Sequence, residues 1–355
     1  MTSHGLNRLS RLTLAGLPLL LAGAGCSSSK TDAEYRQDVV NGMRAGLIAD
    51  LASLVSASQA LQAAAPTQAG RGWDATLDAA AIAAMRDAWS QCRTAYEHVE
   101  GATAPIFPDV DASIDSRYED FLAALPGGDA DLFDGSGVTG MHAVERILYA
   151  DVTPARVVQY ESMLDGDVPA AFPATPQEAA DFKAALVQKQ IADAQDLHDS
   201  WQAATNYDLD AAFSGLISLM NEQREKVDKA STEQEESRYS QTTMADIRHN
   251  LEGTQKVYAL FQPWIRAKDG GVPLDGAIQQ GFADLQAVYD GVAGDAIPQP
   301  PATWSSVNPT QADLQAPFGA LYVGVESAVD PNQPDSIVAH MNQAAVLLGF
   351  QGFTE

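Results

Sequence analysis

Residues 39–55 read VVNGMRAGLIADLASLV, and this stretch decides the fold class. Its apolar residues recur at spacings of three and four, at Val39, Val40, Met43, Leu47, Leu51, Leu54 and Val55. Such spacing places them on one face of a helix. We therefore predict a helix over residues 32–62 that buries this face against neighbouring helices.

The same periodicity recurs along the chain, and no segment alternates as a strand would. It predicts further helices over residues 77–99, 114–125, 139–149, 153–163, 177–204, 209–229, 239–266, 277–292, 311–329 and 335–349. We therefore predict an all-α fold without significant sheet. A Pro-containing break at 169–176 separates two helical-bundle halves, 34–168 and 176–355, which we expect to pack together as a faint pseudo-repeat.

The charge balance excludes one class of partner. The 355 residues include 21 basic and 47 acidic side chains, for a formal net charge of −26. That field repels nucleic acids, so no nucleic-acid partner is expected. It raises the local concentration of cations, which favours metal handling.

The N-terminal segment predicts export. Basic Arg8 and Arg11 precede a mostly apolar run over 12–25, which is shorter than the roughly 20 residues that span a bilayer. We interpret residues 1–25 as a signal peptide and 26–33 as a tether. Small residues before Cys26 resemble a lipobox, although Gly23 stands where Leu is usual. Lipidated Cys26 would anchor an envelope protein that faces the periplasm or lies at the outer membrane; the alternative is an ordinary cleaved signal.

The segment with the clearest chemistry is Gly140-Met141-His142-Ala143-Val144-Glu145. His142 and Glu145 share one helix face, so they can bind one metal ion, or one can orient the other. Thr139 as the helix cap would place His142 in the first turn, where the positive helix end keeps the imidazole neutral. Gly140 would allow a helix or ligand to approach closely. The alternative is a purely structural pair.

Two upstream acidic segments extend this candidate site. Glu97 and Glu100 repeat the three-residue spacing, and Arg93 stands one turn before Glu97, where the two can pair. Further along, Asp111 or Ser113 is expected to cap a helix that starts at Ile114.

Asp115 would then lie in the first turn of that helix. Asp115 and the carboxylates of the upstream segments, together with His142, predict an oxygen-rich site with one imidazole. Such ligands suit Fe, Mn, Zn or Ca, and spacing does not choose among them.

A zinc peptidase is the alternative from another functional class. None of the six histidines is followed by Glu, so H-E-x-x-H is absent. The inverted H-x-x-E-H also fails because Arg146 follows Glu145. A peptidase would need Glu145 or Glu100 to serve as both ligand and base, so we favour metal binding. A lipoprotein that binds some other surface partner is a third alternative.

Four segments together resemble one family. Residues 140–149, GMHAVERILY, resemble the G-x-H-x-x-E signature of imelysin-like proteins. The other three are similar to the family's upstream helix, acidic turn and second polar helix: Trp89-x3-Arg93-x2-Tyr96-Glu97-x2-Glu100, Asp111-x3-Asp115, and Ser240-x2-Thr243-x2-Asp246-x3-Asn250-x-Glu252-Gly253.

The resemblance implies an all-α fold of two bundle-like halves with a polar site near their junction. Family members include an insulin-cleaving membrane protease, iron-regulated proteins and the periplasmic component of the Efe-type ferrous iron uptake system. Carried over by position, the implied metal ligands are His142, Glu145, Glu97, Glu100 and Asp115, and the implied lining residues are Arg93, Asp111, Gly140, Ser240, Asp246 and Asn250. The implied ion is iron, with zinc or calcium as alternatives, and iron-uptake components are the implied partners.

Overall fold

The computed structural model describes residues 30–125 and 127–353, and from Asp32 onward they form one compact unit. The predicted signal peptide and Cys26 lie outside these residues. The helices are α1 Asp32–Ala64, α2 Ala79–Glu97, α3 Glu100–Thr103, α4 Pro108–Asp115, α5 Tyr118–Ala124, α6 Gly140–Leu148, α7 Ala155–Glu161, α8 Pro176–Asp181, α9 Val187–Ala203, α10 Leu209–Lys229, α11 Thr243–Arg266, α12 Gly271–Asp290, α13 Gln311–Gln315, α14 Pro317–Val329 and α15 Ile337–Leu348. A π-helical segment, Phe182–Leu186, joins α8 to α9.

The predicted all-α class is confirmed. Within the described ranges no sheet forms, and the only strand-like pairing is an isolated bridge between Gln68 and Arg71. The division into two halves stays a prediction.

Helix α1 buries the predicted apolar stripe, including Met43, Leu47 and Leu51. It packs against α2, α9 and α11, which cover the stripe. By length and composition alone α1 would also pass for a membrane span. Because α1 buries this stripe against other helices, it is a core helix, and composition by itself would misclassify it as a membrane span.

Helix α2 connects two apolar cores. Trp89 lies in the smaller core with Phe182 and Val144, whereas Tyr96 lies in the larger core built around α1, α10 and α11. Arg93, one turn from each aromatic residue, is therefore buried at the passage between the cores. This position on α2 is where the polar residues of the candidate site assemble.

Three predicted helix starts are wrong. The helix expected from Ala277 already begins at Gly271. The helix expected from Ile114 is two helices, because α4 already begins at Pro108, a residue favoured in a first turn, and ends at Asp115. Extended backbone at Ser116 and Arg117 separates it from α5. Asp111 thus lies inside α4 and caps nothing.

The helix expected from Tyr239 begins only at Thr243. Gln241 just before it has a φ of 59°, which interrupts a right-handed helix.

The apolar stripe of α1 generates a stability prediction. Leu51→Ala removes a fully buried side chain, so the free energy of unfolding should fall by about 2–5 kcal/mol. Leu77→Ala is the matched control because Leu77 is 72% exposed, and it should change stability by less than about 0.5 kcal/mol. Urea unfolding followed by circular dichroism measures both. Equal effects would show that α1 is not a core helix.

Candidate metal centre

Gly140 brings α6 against the end of α4. Its φ is 84°, a left-handed conformation that favours glycine. A Cβ here would lie 2.6 Å from the Ile114 carbonyl oxygen and 2.9 Å from that of Ser113. The absence of a side chain therefore lets the first turn of α6 approach Asp115, the last residue of α4. This agrees with the close approach predicted for Gly140.

His142 lies between two carboxylates. Its Nδ1 forms a 3.1 Å hydrogen bond with Glu145 Oε2. Its Nε2 lies 3.3 Å from Asp115 Oδ1, yet this nitrogen is buried without a hydrogen bond of acceptable geometry. The imidazole is thus held by one nitrogen and presents the other to Asp115.

Glu145 contacts His142, and both of its carboxylate oxygens form hydrogen bonds. Its Oε1 accepts hydrogen bonds from the Ser240 amide at 2.8 Å, the Ser240 hydroxyl at 2.7 Å and the Tyr239 amide at 3.2 Å. These amides are free for Glu145 because residues 239–242 are not helical. Glu145 therefore orients His142 and fixes the loop before α11.

Glu236 completes the group around His142 and was missed by the sequence prediction. Ligand atoms of Asp115, His142 and Glu236 lie within 4.8 Å of one another. Glu236 is 6% exposed, although it lies in a charged segment between the helices predicted over 209–229 and 239–266. Nothing in the sequence separates Glu236 from Glu235 or Glu233 beside it.

A second carboxylate group adjoins the first. Glu97, Glu100 and Glu236 also offer atoms within 4.8 Å of one another. The Asn250 side-chain amide donates to Glu97 and, at 2.8 Å, to Glu100. Lys226, also missed from sequence, donates to Asn250 Oδ1 at 2.9 Å and lies 2.8 Å from Glu236.

Arg93 touches carboxylates from four parts of the chain. It pairs with Glu97, as the one-turn spacing predicted, and with Asp115. It lies 2.7 Å from Glu236, and its Nε is 3.5 Å from Asp246 Oδ1. Among the described residues Arg93 and Lys226 supply the permanent positive charge here, so carboxylates outnumber fixed cations in this centre.

The predicted neutral state of His142 is wrong. Burial lowers the pKa of this imidazole, but the adjacent carboxylates of Asp115 and Glu145 raise it to about 9. Thr139 precedes α6 without a side-chain capping bond. The two carboxylates therefore outweigh the helix end and keep the ring protonated at neutral pH.

The carboxylic acids of the centre fall into two groups, one with lowered and one with raised pKa values. Burial raises the pKa of Asp115 and Glu236, but Arg93 (with Lys226 beside Glu236) outweighs it and holds both pKa values below their usual range. Burial raises the pKa of Glu100 to about 7 and that of Asp246 to about 6. Burial also raises the pKa of Asp111, which accepts a hydrogen bond from Tyr96, to about 7.

The structure brings the site residues predicted from sequence into one neighbourhood and adds two. Those predicted are Arg93, Glu97, Glu100, Asp111, Asp115, Gly140, His142, Glu145, Ser240, Asp246 and Asn250, and those added are Lys226 and Glu236. The orphaned Nε2 of His142 and the orphaned Oδ2 of Asp246 are buried polar atoms that an ion could satisfy. An imidazole with several carboxylates is a donor set that Fe, Mn and Zn accept. The residues present therefore fit a metal ion.

Comparisons with known proteins agree with this fold. The family model described as Imelysin matches residues 47–319. The iron uptake system component EfeM of Pseudomonas syringae pv. syringae is 26% identical over 188 residues, which cover 53% of this chain and 52% of the relative. The iron uptake system component EfeO of Yersinia pseudotuberculosis is 28% identical over 209 residues, 58% of this chain and 44% of the relative. The chain thus spans about half the length of the curated relatives it matches.

A solved structure shows the same architecture. The crystal structure of an imelysin-like protein from Psychrobacter arcticum 273-4 superposes with a TM-score of 0.54 and 15% sequence identity. The superposition covers 92% of this chain and 99% of that protein. It supports the all-helical fold.

The contact between α4 and α6 generates a second prediction. Gly140→Ala places a Cβ against two carbonyl groups in a strained conformation, and we expect a loss of about 1–3 kcal/mol in the free energy of unfolding. The control is Gly46→Ala inside α1, where nothing lies within 4 Å of the added Cβ. That variant should gain about 0.5–1 kcal/mol. Denaturant unfolding compares the two, and equal changes would contradict the close approach.

The charge on His142 generates a third prediction, for metal-free protein. Its folded pKa is raised above the ordinary 6.5 to about 9. The stability it contributes is therefore fully present below pH 6.5 and lost as the pH rises through 9. An NMR titration of the imidazole with chelator present should give a midpoint near 9, and Glu145→Gln should lower it. A midpoint at or below 6.5 in the wild type would contradict the assigned contacts.

Proposed function

Because the chain belongs to the imelysin family, we propose that it is an envelope lipoprotein that binds a metal ion, with iron favoured, and takes part in iron uptake. One observation carries the proposal. His142 is held by Glu145 through Nδ1 and turns an unbonded Nε2 toward Asp115, with Glu236 beside them. A ring that is anchored at one nitrogen and free at the other is how proteins position a metal-binding histidine.

The proposed ligands are His142 Nε2, from which the ion would displace the proton of the metal-free protein, and the carboxylates of Asp115 and Glu236. Their atoms lie within 4.8 Å of one another, whereas two ligands on one ion, each at about 2.1 Å, are separated by at most about 4.2 Å. A small contraction is therefore enough to close the site. Glu97 and Glu100 lie next to Glu236 and would supply further oxygens.

Charge supports uptake of a cation at this place. Arg93 and Lys226 already contact the carboxylates. Acids whose pKa values burial raises, such as Glu100 and Asp246, would release protons when an ion binds and so balance its charge. Glu145 would act by orienting His142, because both of its oxygens are already hydrogen-bonded.

The donor set bears on the identity of the ion. Calcium prefers oxygen ligands alone, and an imidazole among carboxylates favours iron, manganese or zinc. Curated relatives named as iron uptake system components favour iron as the ion that is carried. Zinc or calcium in this site is the alternative.

A metal-dependent peptidase is the second candidate, and the geometry favours it less. Its general base would be Glu145 or Glu100, and the Glu145 side chain is fully buried and already saturated with hydrogen bonds. The cavity beside Glu100 has a volume of about 160 Å³. Clefts that hold drug-sized ligands usually measure about 300–1,000 Å³, so a polypeptide would not fit this one.

The cellular setting follows from the sequence features of the N-terminus. We propose that Cys26 carries the lipid and anchors the chain to the membrane, facing the periplasm or at the outer membrane. Components of an iron-uptake system are the proposed partners. A surface lipoprotein that binds an unrelated partner is the remaining alternative.

Calorimetric titration tests the metal proposal. The purified protein, freed of metals, is titrated with Fe²⁺ without oxygen, and with Mn²⁺, Zn²⁺ and Ca²⁺. We expect His142→Gln and Glu236→Gln each to weaken Fe²⁺ binding at this centre at least about tenfold, which corresponds to about 1.4 kcal/mol. Glu145→Gln, which weakens the orientation of His142 and the contacts to Tyr239 and Ser240, should cost about 10–100-fold.

Glu233→Gln is the control, because Glu233 comes from the same turn but pairs with Arg156 instead. It should bind Fe²⁺ as the wild type does. The proposal fails if no ion binds more tightly than millimolar, or if the His142 and Glu236 variants bind as well as the control.

Digestion of an unfolded protein substrate tests the peptidase alternative, with and without added metal. We expect no metal-dependent cleavage. Cleavage that requires metal and disappears in Glu145→Gln would reverse the order of the two candidates.

A further inference from the structure

A second H-x-x-E sequence lies on α11, where His249 and Glu252 share one helix face. It faces His98, the residue that follows the last residue of α2. This group is separate from the residues around His142. Of its side chains only Glu252 belongs to a motif of the family resemblance, and the proposed function uses none of the three.

The three side chains converge. Ligand atoms of His98, His249 and Glu252 lie within 4.8 Å of one another. His98 Nε2 is 3.2 Å from Glu252 Oε2, and the two imidazole rings meet edge to face with centroids 5.3 Å apart. Nδ1 of His249 is buried without a hydrogen bond.

The backbone fixes this geometry. A Cβ on Gly253 would lie 2.6 Å from the His98 carbonyl oxygen and 2.7 Å from its Cα. Helix α11 can therefore lie directly on the chain at His98 only because residue 253 is glycine. The two histidines are brought together by this contact and do not depend on flexible loops.

The cluster of His98, His249 and Glu252 lies on the outer side of the contact between α11 and the end of α2. The buried centre lies on the inner side of that contact. Glu97 precedes His98, Asn250 follows His249, and the Asn250 amide donates to Glu97 on the inner side. Glu97 is fully buried, whereas the Glu252 side chain is 56% exposed. The outer cluster is thus open to solvent beside a centre that is closed.

We propose that His98, His249 and Glu252 form a second, surface site for a transition-metal ion such as Zn²⁺. Two imidazoles with one carboxylate are ligands that zinc, iron and copper accept, and they leave positions for water or an exchanging ligand. The same set disfavours calcium, which takes oxygen ligands. Asp50 lies 3.7 Å from His98 Nδ1 and pairs with Lys256. It would therefore orient the His98 ring through the nitrogen that does not face Glu252.

Zn²⁺ calorimetry on the purified protein tests this site through its stoichiometry. The wild type should bind one ion at the buried centre and one at the surface site. His249→Gln and Glu252→Gln should each weaken the surface site at least about tenfold and leave the other ion in place. Glu252→Gln changes an exposed side chain, so its fold is expected to persist, which circular dichroism checks.

Two further variants separate the sites. His142→Gln should retain the surface ion. His198→Gln, which removes a histidine of α9 that contacts Asp199 and Gln195, should bind as the wild type does. Ca²⁺ should not occupy the surface site.

The outcomes distinguish this inference from the proposed function. If Glu252→Gln and His249→Gln keep the wild-type stoichiometry and affinity, the surface site is disproved, whatever happens at His142. If the wild type binds a single ion that is lost in His142→Gln, the buried centre stands and the surface site fails. If that single ion is lost in Glu252→Gln instead, the surface site stands alone.

Discussion

The buried guanidinium of Arg93 is the constraint on which the rest of the centre depends. It contacts Glu97 of α2, Asp115 at the end of α4, Glu236 of the loop before α11, and Asp246 of α11 itself. A buried charge without a partner is strongly destabilising, so these four segments have to meet around this side chain. The passage between the two apolar cores is therefore polar and defined in geometry.

The carboxylates that Arg93 does not balance are the basis of the proposed function. Lys226 adds the other permanent positive charge, and the remaining carboxylates are balanced in part by a proton on His142. A group of acids held together in a closed space, with one anchored imidazole, is better suited to bind a cation than to cleave a peptide bond. The same arrangement explains why Glu145 is better placed to orient than to react.

The sequence predicted local features well and long-range ones poorly. Periodicity located α1 and gave the bounds of α10, and the one-turn spacing predicted the pair of Arg93 with Glu97. Lys226 and Glu236 reach the centre only through tertiary packing, which leaves no local pattern. The charge on His142 was mispredicted because helix position was weighed without the carboxylate of Asp115, which comes from another helix.

An anomalous diffraction measurement at the iron edge tests the central claim most directly. Crystals grown without oxygen in the presence of Fe²⁺ should show an anomalous peak bonded to His142 Nε2 and to carboxylate oxygens of Asp115 and Glu236. Arg93 should remain in contact with Glu97 beside it. A map with no peak at this place, with the protein saturated in Fe²⁺, would contradict the account.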